Sequence, residues 1–96
     1  MTIKVKVDFV GALRKLAGDG RCLEFSRPVN VMAVLQRVSN CYGPLLEKAL
    51  IDPDLKDPRP NLIVLVNKRE ISVLDGLNTQ VGDGDKIVLI PVSHGG

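Results

Sequence analysis

The clearest pattern in the chain is a strict alternation of apolar and polar residues near its start. In residues 3–9 every second residue is apolar, and the residues between them are charged. A period of two is typical of a strand that buries one face and exposes the other. Residues 11–20 hold three glycines around the short stretch 12–17. We therefore expect the chain to turn there and to return antiparallel over residues 21–26.

A helical period follows Pro28, which is expected to end the second strand. Asn30 is a favourable N-cap, and apolar residues recur after it at the spacing of one helix face. That face consists of Val31, Val34, Leu35, Val38 and either Cys41 or Tyr42. Gly43 is expected to end this main helix, and Pro44 to open a shorter helical piece that continues over residues 45–50.

The second half of the chain predicts a loop and a strand with a short partner. Residues 52–61 contain three prolines and three aspartates, a composition typical of a surface loop. Residues 62–66 are apolar on both faces, which indicates a buried strand. A tight turn at 67–70 and a short return strand at 71–74 are expected to follow.

The last apolar stretch, residues 86–90, also lacks alternation. It predicts a central strand that is covered on both sides or whose second face meets a partner. Pro91 has no N–H group, so regular pairing is expected to end at or just before it. One main helix with four or five strands predicts an α+β roll, and parallel first and last strands at its centre make a β-grasp fold. We expect this domain at residues 1–90 and a flexible tail at 91–96.

Composition excludes several functional classes. The chain has 96 residues, the size of one small domain, with 45% hydrophobic and 25% charged residues. The net charge of +2 is spread singly along the chain and there are three aromatic residues, so we expect no nucleic-acid partner. The first residues lack a signal peptide, and no apolar run nears the roughly 18 residues of a membrane span. We expect a cytoplasmic protein without a membrane partner.

Candidate catalytic and metal-binding residues are sparse. Cys22 and Cys41 are too far apart in sequence to form a metal cluster. We interpret them as buried free thiols, with a disulfide as the alternative. His94 is the only histidine, and we interpret it as a spacer or a partner contact. Residues 82–84 are read as a simple turn. We expect a protein that is not an enzyme and binds no cofactor or metal.

Three stretches match the motifs of one family in the same order. Residues 9–18 (FVGALRKLAG) resemble its Phe-x-x-x-Leu-Arg-x-Leu-Ala-Gly stretch, residues 65–71 (LVNKREI) its Val-Asn-Gly-x-x-Ile turn, and residues 83–96 (DGDKIVLIPVSHGG) its closing segment. The family is that of the ubiquitin-like sulfur carriers, especially the small subunit of molybdopterin synthase (MoaD-like) and the archaeal small modifier proteins. Lys68 departs from the usual turn glycine, and a double proline common before the tail of molybdopterin synthase subunits is missing. His94 is more similar to ubiquitin-related modifiers that thiolate transfer RNA.

The resemblance implies a chemistry for the tail. In this family a ubiquitin-activating-type (E1-like, MoeB-like) enzyme adenylates the C-terminal carboxylate with ATP, and a persulfide then converts it to a thiocarboxylate. Gly96 is the implied reactive end. Gly95 is expected to give clearance, because a residue without Cβ passes through a narrow channel. Six extended residues from Pro91 reach at most about 20 Å, enough to enter a partner's pocket.

The implied partners are the adenylating enzyme and either the large subunit of molybdopterin synthase or conjugation targets. The predicted partner-binding residues are Leu89, Pro91, Val92, Ser93 and His94. Arg14, Arg69 and Lys86 could steer an acidic partner, although single basic residues usually belong to solvated surface. The leading function is sulfur donation in molybdopterin (molybdenum cofactor) biosynthesis. The alternatives are a modifier that forms isopeptide bonds with lysines, and a sulfur carrier for transfer RNA thiolation.

Overall fold

The computed structural model describes residues 2–50 and 62–92. The loop predicted at 52–61 lies outside these ranges. Within them, no helix has the length and apolar character that a membrane span requires. The elements in chain order are β1 (Ile3–Phe9), α1 (Ala12–Ala17), β2 (Arg21–Phe25), β3 (Val29–Asn30), α2 (Val31–Tyr42), α3 (Pro44–Leu50), β4 (Leu62–Val66), β5 (Arg69–Glu70), 3-10 turns at Ile71–Val73 and Gly76–Asn78, β6 (Gln80–Val81) and β7 (Lys86–Pro91).

Five of the strands form one mixed sheet in the order β2-β1-β7-β4-β5. At its centre β1 and β7 run parallel, with Phe9 opposite Leu89. The outer neighbours β2 and β4 pair antiparallel with them. The strands β3 and β6 form a separate two-stranded ladder. The first and last strands are therefore central neighbours, which confirms the predicted β-grasp fold.

The core lies between one face of this sheet and the helices. The alternation of β1 is as predicted, because its four apolar side chains are all buried. The helix face of α2 is completed by Tyr42, whose ring meets Phe9 edge-on with 5.5 Å between centroids. The buried apolar residues of the helices are Leu13, Val31, Val34, Leu35, Val38, Leu46 and Leu50.

The two cysteines are not buried, so this interpretation was wrong. Both are exposed and free. Cys22 occupies a position in β2 that alternates with the buried Leu23, so its side chain belongs to the opposite face. Cys41 precedes Tyr42, and only Tyr42 packs against the core. Position within the strand or helix period outweighs the usual preference of cysteine for the interior.

The return strand predicted at 71–74 is also wrong. Asn67 and Lys68 both have positive φ, 50° and 73°, and form a two-residue hairpin turn, so β5 begins directly after them. The Glu70 carboxylate then accepts a hydrogen bond from the backbone N–H of Ser72 and caps a 3-10 turn. The return strand therefore consists of Arg69 and Glu70, within the predicted turn, and ends before the predicted strand begins.

One additional ladder and one strand boundary also differ from the prediction. The ladder of β3 and β6 was not predicted, because two-residue strands carry no periodicity. It is joined to the start of α2 by the Val31 N–H, which donates to the Thr79 carbonyl at 3.0 Å. The second strand ends at Phe25 rather than at residue 26. The last strand takes in Pro91, opposite Leu62, and so ends at the predicted position.

Side chains from two of the stretches that resemble the family, residues 65–71 and 83–96, form hydrogen bonds between neighbouring strands. The Asn67 amide donates from Nδ2 to Asp85 Oδ1 at 2.9 Å, and its Oδ1 accepts from the Lys86 N–H at 3.0 Å. The Asp83 carboxylate accepts from the Lys4 N–H at 2.8 Å. The turn before β7 is therefore bonded to β1 on one side and to the end of β4 on the other.

Adjacent leucines of α3 test the position of the core. Leu46 is 1% exposed and Leu45 is 74% exposed. Leu46→Ala should lower the free energy of unfolding by about 2–5 kcal/mol, because it leaves a cavity. Leu45→Ala should change it by no more than about 0.5 kcal/mol. Urea denaturation of the two variants measures both values, and equal losses would contradict the orientation of α3.

The hairpin turn gives a second test of stability. A left-handed conformation costs a non-glycine residue roughly 1–2 kcal/mol, while a new glycine gives back about 0.4–1 kcal/mol through the unfolded chain. Lys68→Gly should therefore raise the free energy of unfolding by up to about 1 kcal/mol. The neighbouring Arg69→Gly, in β5, should lower it by about 0.5–1 kcal/mol. A destabilised Lys68→Gly variant would show that the turn has another conformation.

Candidate functional site

The last strand ends beside the turn that leads into α1. On one side Pro91 lies opposite Leu62 at the start of β4. On the other side the Val10 N–H donates to the Leu89 carbonyl at 3.1 Å. A Cβ added to Gly11 would lie 3.4 Å from Pro91 Cγ. The chain thus leaves the sheet between the beginning of β4 and the turn at Gly11.

The predicted partner-binding residues have different positions. Leu89 is fully buried, with 0% exposure, and faces the core. Its side chain is not at the surface, which corrects the prediction that it contacts a partner. Pro91 and Val92 are half-buried at the end of the sheet. The other predicted site residues lie outside the described residues and are Ser93, His94, Gly95 and Gly96.

A shallow groove follows the end of β7 on the helix side of the sheet. Its volume is about 230 Å³, and most of its walls are apolar. The exposed Leu16 of α1 lies on one wall, and Lys48 of α3 supplies the charged group. The lining residues are Ala12, Leu13, Leu16, Lys48, Ala49, Pro91 and Val92. Val92 therefore leaves the sheet in contact with the space between α1 and α3.

The opposite face of the sheet, here called the open face, is apolar over β7 and β4. Val88 lies between Asp8 of β1 and Leu65 of β4, and Ile90 lies opposite Ile63. Ile63 is 39% exposed, and Leu65, Val88 and Ile90 are half-buried. Among the described residues, none forms a layer over these side chains. Of the two alternatives for residues 86–90, the structure thus favours a second face that can meet a partner.

Charged side chains border the apolar part of the open face. Lys6 lies opposite Lys86 in the ladder. Lys86 Nζ is 3.1 Å from Asp8 Oδ2, and Arg14 Nη2 is 2.7 Å from Asp19 Oδ1. These groups surround a depression of about 540 Å³. Two of the three cations predicted to steer a partner, Arg14 and Lys86, are therefore paired with carboxylates of the chain itself.

The far edge of the open face carries a fixed negative charge. Glu70 lies opposite Leu65 in the ladder. Hydrogen bonds from the Ser72 hydroxyl and backbone N–H lower the pKa of Glu70 below its ordinary value. The carboxylate is thus ionised at neutral pH. The third predicted cation, Arg69, is exposed on the same short strand.

Two residues of this region were missed from the sequence. Ile63 stands in a stretch that is apolar on both faces, so its exposure could not be separated from burial by periodicity. Gly11 follows the last alternating residue of β1 by two positions, where a glycine is expected in any turn. The proximity of Gly11 to Pro91 joins distant parts of the sequence, so no local pattern indicates it.

The β-grasp fold with its parallel central strands is the fold of ubiquitin-like proteins. The model of the ThiS family matches residues 7–96. The chain belongs to this family of ubiquitin-like sulfur carriers, which confirms the resemblance found in the sequence. No curated protein sequence matches the chain.

Solved structures show the same fold over nearly the whole chain. The small archaeal modifier protein 1 (SAMP1) from Methanosarcina acetivorans has 26% identity and a TM-score of 0.83, and the match covers 100% of this chain and 99% of that one. Urm1 from Trypanosoma brucei has 26% identity and a TM-score of 0.79, covering 99% and 97%. The HVO 2177 protein of Haloferax volcanii has 28% identity and a TM-score of 0.81, covering 98% and 88%.

Proposed function

We propose that this chain carries sulfur on its C-terminal Gly96 and donates it in molybdopterin biosynthesis. The observation that carries the proposal is the match to the ThiS family, which extends through residue 96. The position of Pro91 supports it, because the last strand ends there, four residues before Gly95. The resemblance of residues 65–71 and 83–96 to MoaD-like subunits favours molybdopterin as the recipient of the sulfur.

The proposed chemistry begins with activation, because a carboxylate is a poor electrophile. The Gly96 carboxylate attacks the α-phosphate of ATP on the adenylating enzyme, and pyrophosphate leaves. A persulfide of a partner then attacks the acyl carbon, and AMP leaves. A second thiol of the partner finally attacks the inner sulfur of the former persulfide and breaks the sulfur–sulfur bond. A disulfide forms on the partner, and the outer sulfur remains on Gly96 as a thiocarboxylate. This chain supplies the acyl group, so the catalytic residues and the ATP site belong to its partners.

Docking on such an enzyme requires a surface as well as a tail. Ordering a flexible segment consumes binding free energy, so most of the affinity must come from the folded part. The open face offers a central apolar patch with charged borders, the composition of a specific docking surface. From Pro91 an extended tail reaches at most about 20 Å. We infer that the open face binds the adenylating enzyme while Gly96 enters its nucleotide site.

A second candidate function is protein modification. The similarity to SAMP1, a protein named as a modifier, favours it. In this case the adenylated Gly96 is transferred to lysine amines of other proteins instead of to sulfur. A third candidate is sulfur delivery to transfer RNA, which His94 favours through its resemblance to ubiquitin-related modifiers. All three use the same activation step and differ in the acceptor.

The first prediction of the proposal concerns Gly96 itself. Protein purified from its native cell should contain a fraction whose mass fits the replacement of one oxygen by sulfur. Deletion of Gly96 should abolish this fraction, and Leu45→Ala, at an exposed residue on the helix side, should retain it as a control. Intact-protein mass spectrometry measures the fraction. If the heavier species persists after the deletion, the terminal thiocarboxylate is excluded.

The acceptor is identified in cells that lack the gene. Loss of molybdopterin with normal thiolated uridine in transfer RNA supports the leading proposal. Loss of thiolated uridine with normal molybdopterin supports the third candidate. Lysines that carry a remnant of the tail in digested lysates of normal cells support protein modification. Each result shows that the named acceptor uses Gly96, and it rejects a model in which another acceptor is the only one.

A second prediction concerns the open face. Ile63→Ala should raise the KM of the adenylating enzyme for this chain about 10-fold, which corresponds to about 1.4 kcal/mol of docking free energy, and should leave kcat unchanged. Leu45→Ala, on the helix side, should leave both unchanged. ATP–pyrophosphate exchange with the adenylating enzyme of the same cell measures them. Equal KM values for the two variants would place docking elsewhere.

A further inference from the structure

We propose that Gly11 sets the direction in which the chain leaves the sheet after Pro91, and that it is a positioning residue for the delivery of Gly96. The inference rests on the proposed function, because delivery to an activating enzyme gives that direction its purpose. Gly11 lies outside the tail and at the opposite end of the sequence. Its effect on Gly96 must therefore pass through Pro91, which lies beside it in the fold.

The backbone at Gly11 requires glycine. Its φ of 63° and ψ of −135° mirror the extended region and are closed to residues with an L-configured Cβ. The preceding Val10 N–H still bonds to Leu89 of the central ladder. The Gly11 carbonyl already accepts a hydrogen bond from the Arg14 N–H at 3.0 Å in α1. The change from strand to helix is thus completed at this single residue.

The same residue lies against the ring of Pro91. A Cβ at Gly11 would be 3.4 Å from Pro91 Cγ and 3.8 Å from Pro91 Cδ. The ring fixes φ of Pro91 near −65°, so the position of the ring determines where Val92 begins. Pro91 and Val92 line the groove together with Ala12 and Ala49. The start of the tail is therefore enclosed by the turn at Gly11 and by the two short helices.

An alanine at residue 11 cannot keep this arrangement without strain. To relieve the strain, φ must become negative, and this rotation moves the backbone that adjoins Pro91. The open face is formed by other residues, so docking is preserved while the exit of the tail is displaced. In the bound complex the extended tail passes this displacement on to Gly96, and a displacement of about 1 Å between reacting groups can lower a rate about 100-fold. The expected effect is therefore on kcat rather than on KM.

Gly18, at the other end of α1, provides a matched control. It also has a positive φ, 79°, so an alanine there introduces the same kind of strain. A Cβ at Gly18 would meet no atom within 4 Å. The two glycines flank the same helix, and only Gly11 adjoins Pro91. A comparison of the two alanine variants therefore separates loss of stability from displacement of the tail.

The kinetic test uses ATP–pyrophosphate exchange with the adenylating enzyme of the same cell. Gly11→Ala should lower kcat about 10- to 100-fold and keep KM within about 2-fold. Gly18→Ala should keep both constants within about 2-fold of the unsubstituted chain. Equal losses of kcat in the two variants, or a change in KM alone, would overturn the inference. If the unsubstituted chain is not adenylated, the proposed function fails instead.

A second measurement needs no partner. In the unsubstituted protein and in Gly18→Ala, nuclear Overhauser effects should connect the methyl groups of Val92 with those of Ala12 and Ala49. In Gly11→Ala these effects should be lost, while those within the core confirm that the variant is folded. If Gly11→Ala retains the contacts of Val92, Gly11 does not direct the tail.

A D-alanine at residue 11 gives a rescue variant. The observed φ and ψ are unstrained for a D-residue, because they mirror the polyproline region of L-residues. Cys22 allows ligation of a synthetic peptide of residues 1–21 to the remaining chain. The D-alanine protein should recover kcat to within about 3-fold of the unsubstituted chain. A D-alanine protein as slow as Gly11→Ala would show that the turn conformation is not the cause.

Discussion

The parallel pairing of β1 with β7 is the constraint on which the rest of the molecule depends. Parallel strands cannot be joined by a tight hairpin, so the chain between them must cross over one face of the sheet. Here α2 and α3 make this crossing and cover the inner face. The outer face is left without a second layer among the described residues. Because parallel strands end at the same edge, Gly11 and Pro91 come to lie side by side.

Local patterns predicted the elements whose two faces differ in polarity. The alternation of β1 and the helical period of α2 are of this kind, and Asn30 caps α2 by accepting the Ala33 N–H at 2.9 Å. The exposure of Cys22 follows from the alternation of β2, but other errors fall where the local pattern does not distinguish the two faces. The last strand is apolar on both faces, so the inward direction of Leu89 could not be read from it. The exposure of Cys41 depends on a neighbour, Tyr42, that fills the same helix face.

The candidate site divides in the same way. The chemistry proposed for Gly96 follows from a motif that is continuous in sequence, and the family match covers that motif. The setting of that chemistry is not continuous. The open face combines residues of three strands, and Pro91 lies beside Gly11 from near the other end of the chain. Such contacts exist only after the sheet has formed, so no window of sequence contains them.

The central pair also has a consequence for how the protein is made. Lys6 pairs with Lys86, so the sheet cannot close while the ribosome has yet to synthesise the last strand. Contacts between residues so distant in sequence slow folding. A chain that ends before β7 also lacks one of the two central strands. A prematurely terminated product therefore stays unfolded and is open to proteases. A chain shortened before β7 therefore cannot persist as a folded competitor on the docking surface proposed above.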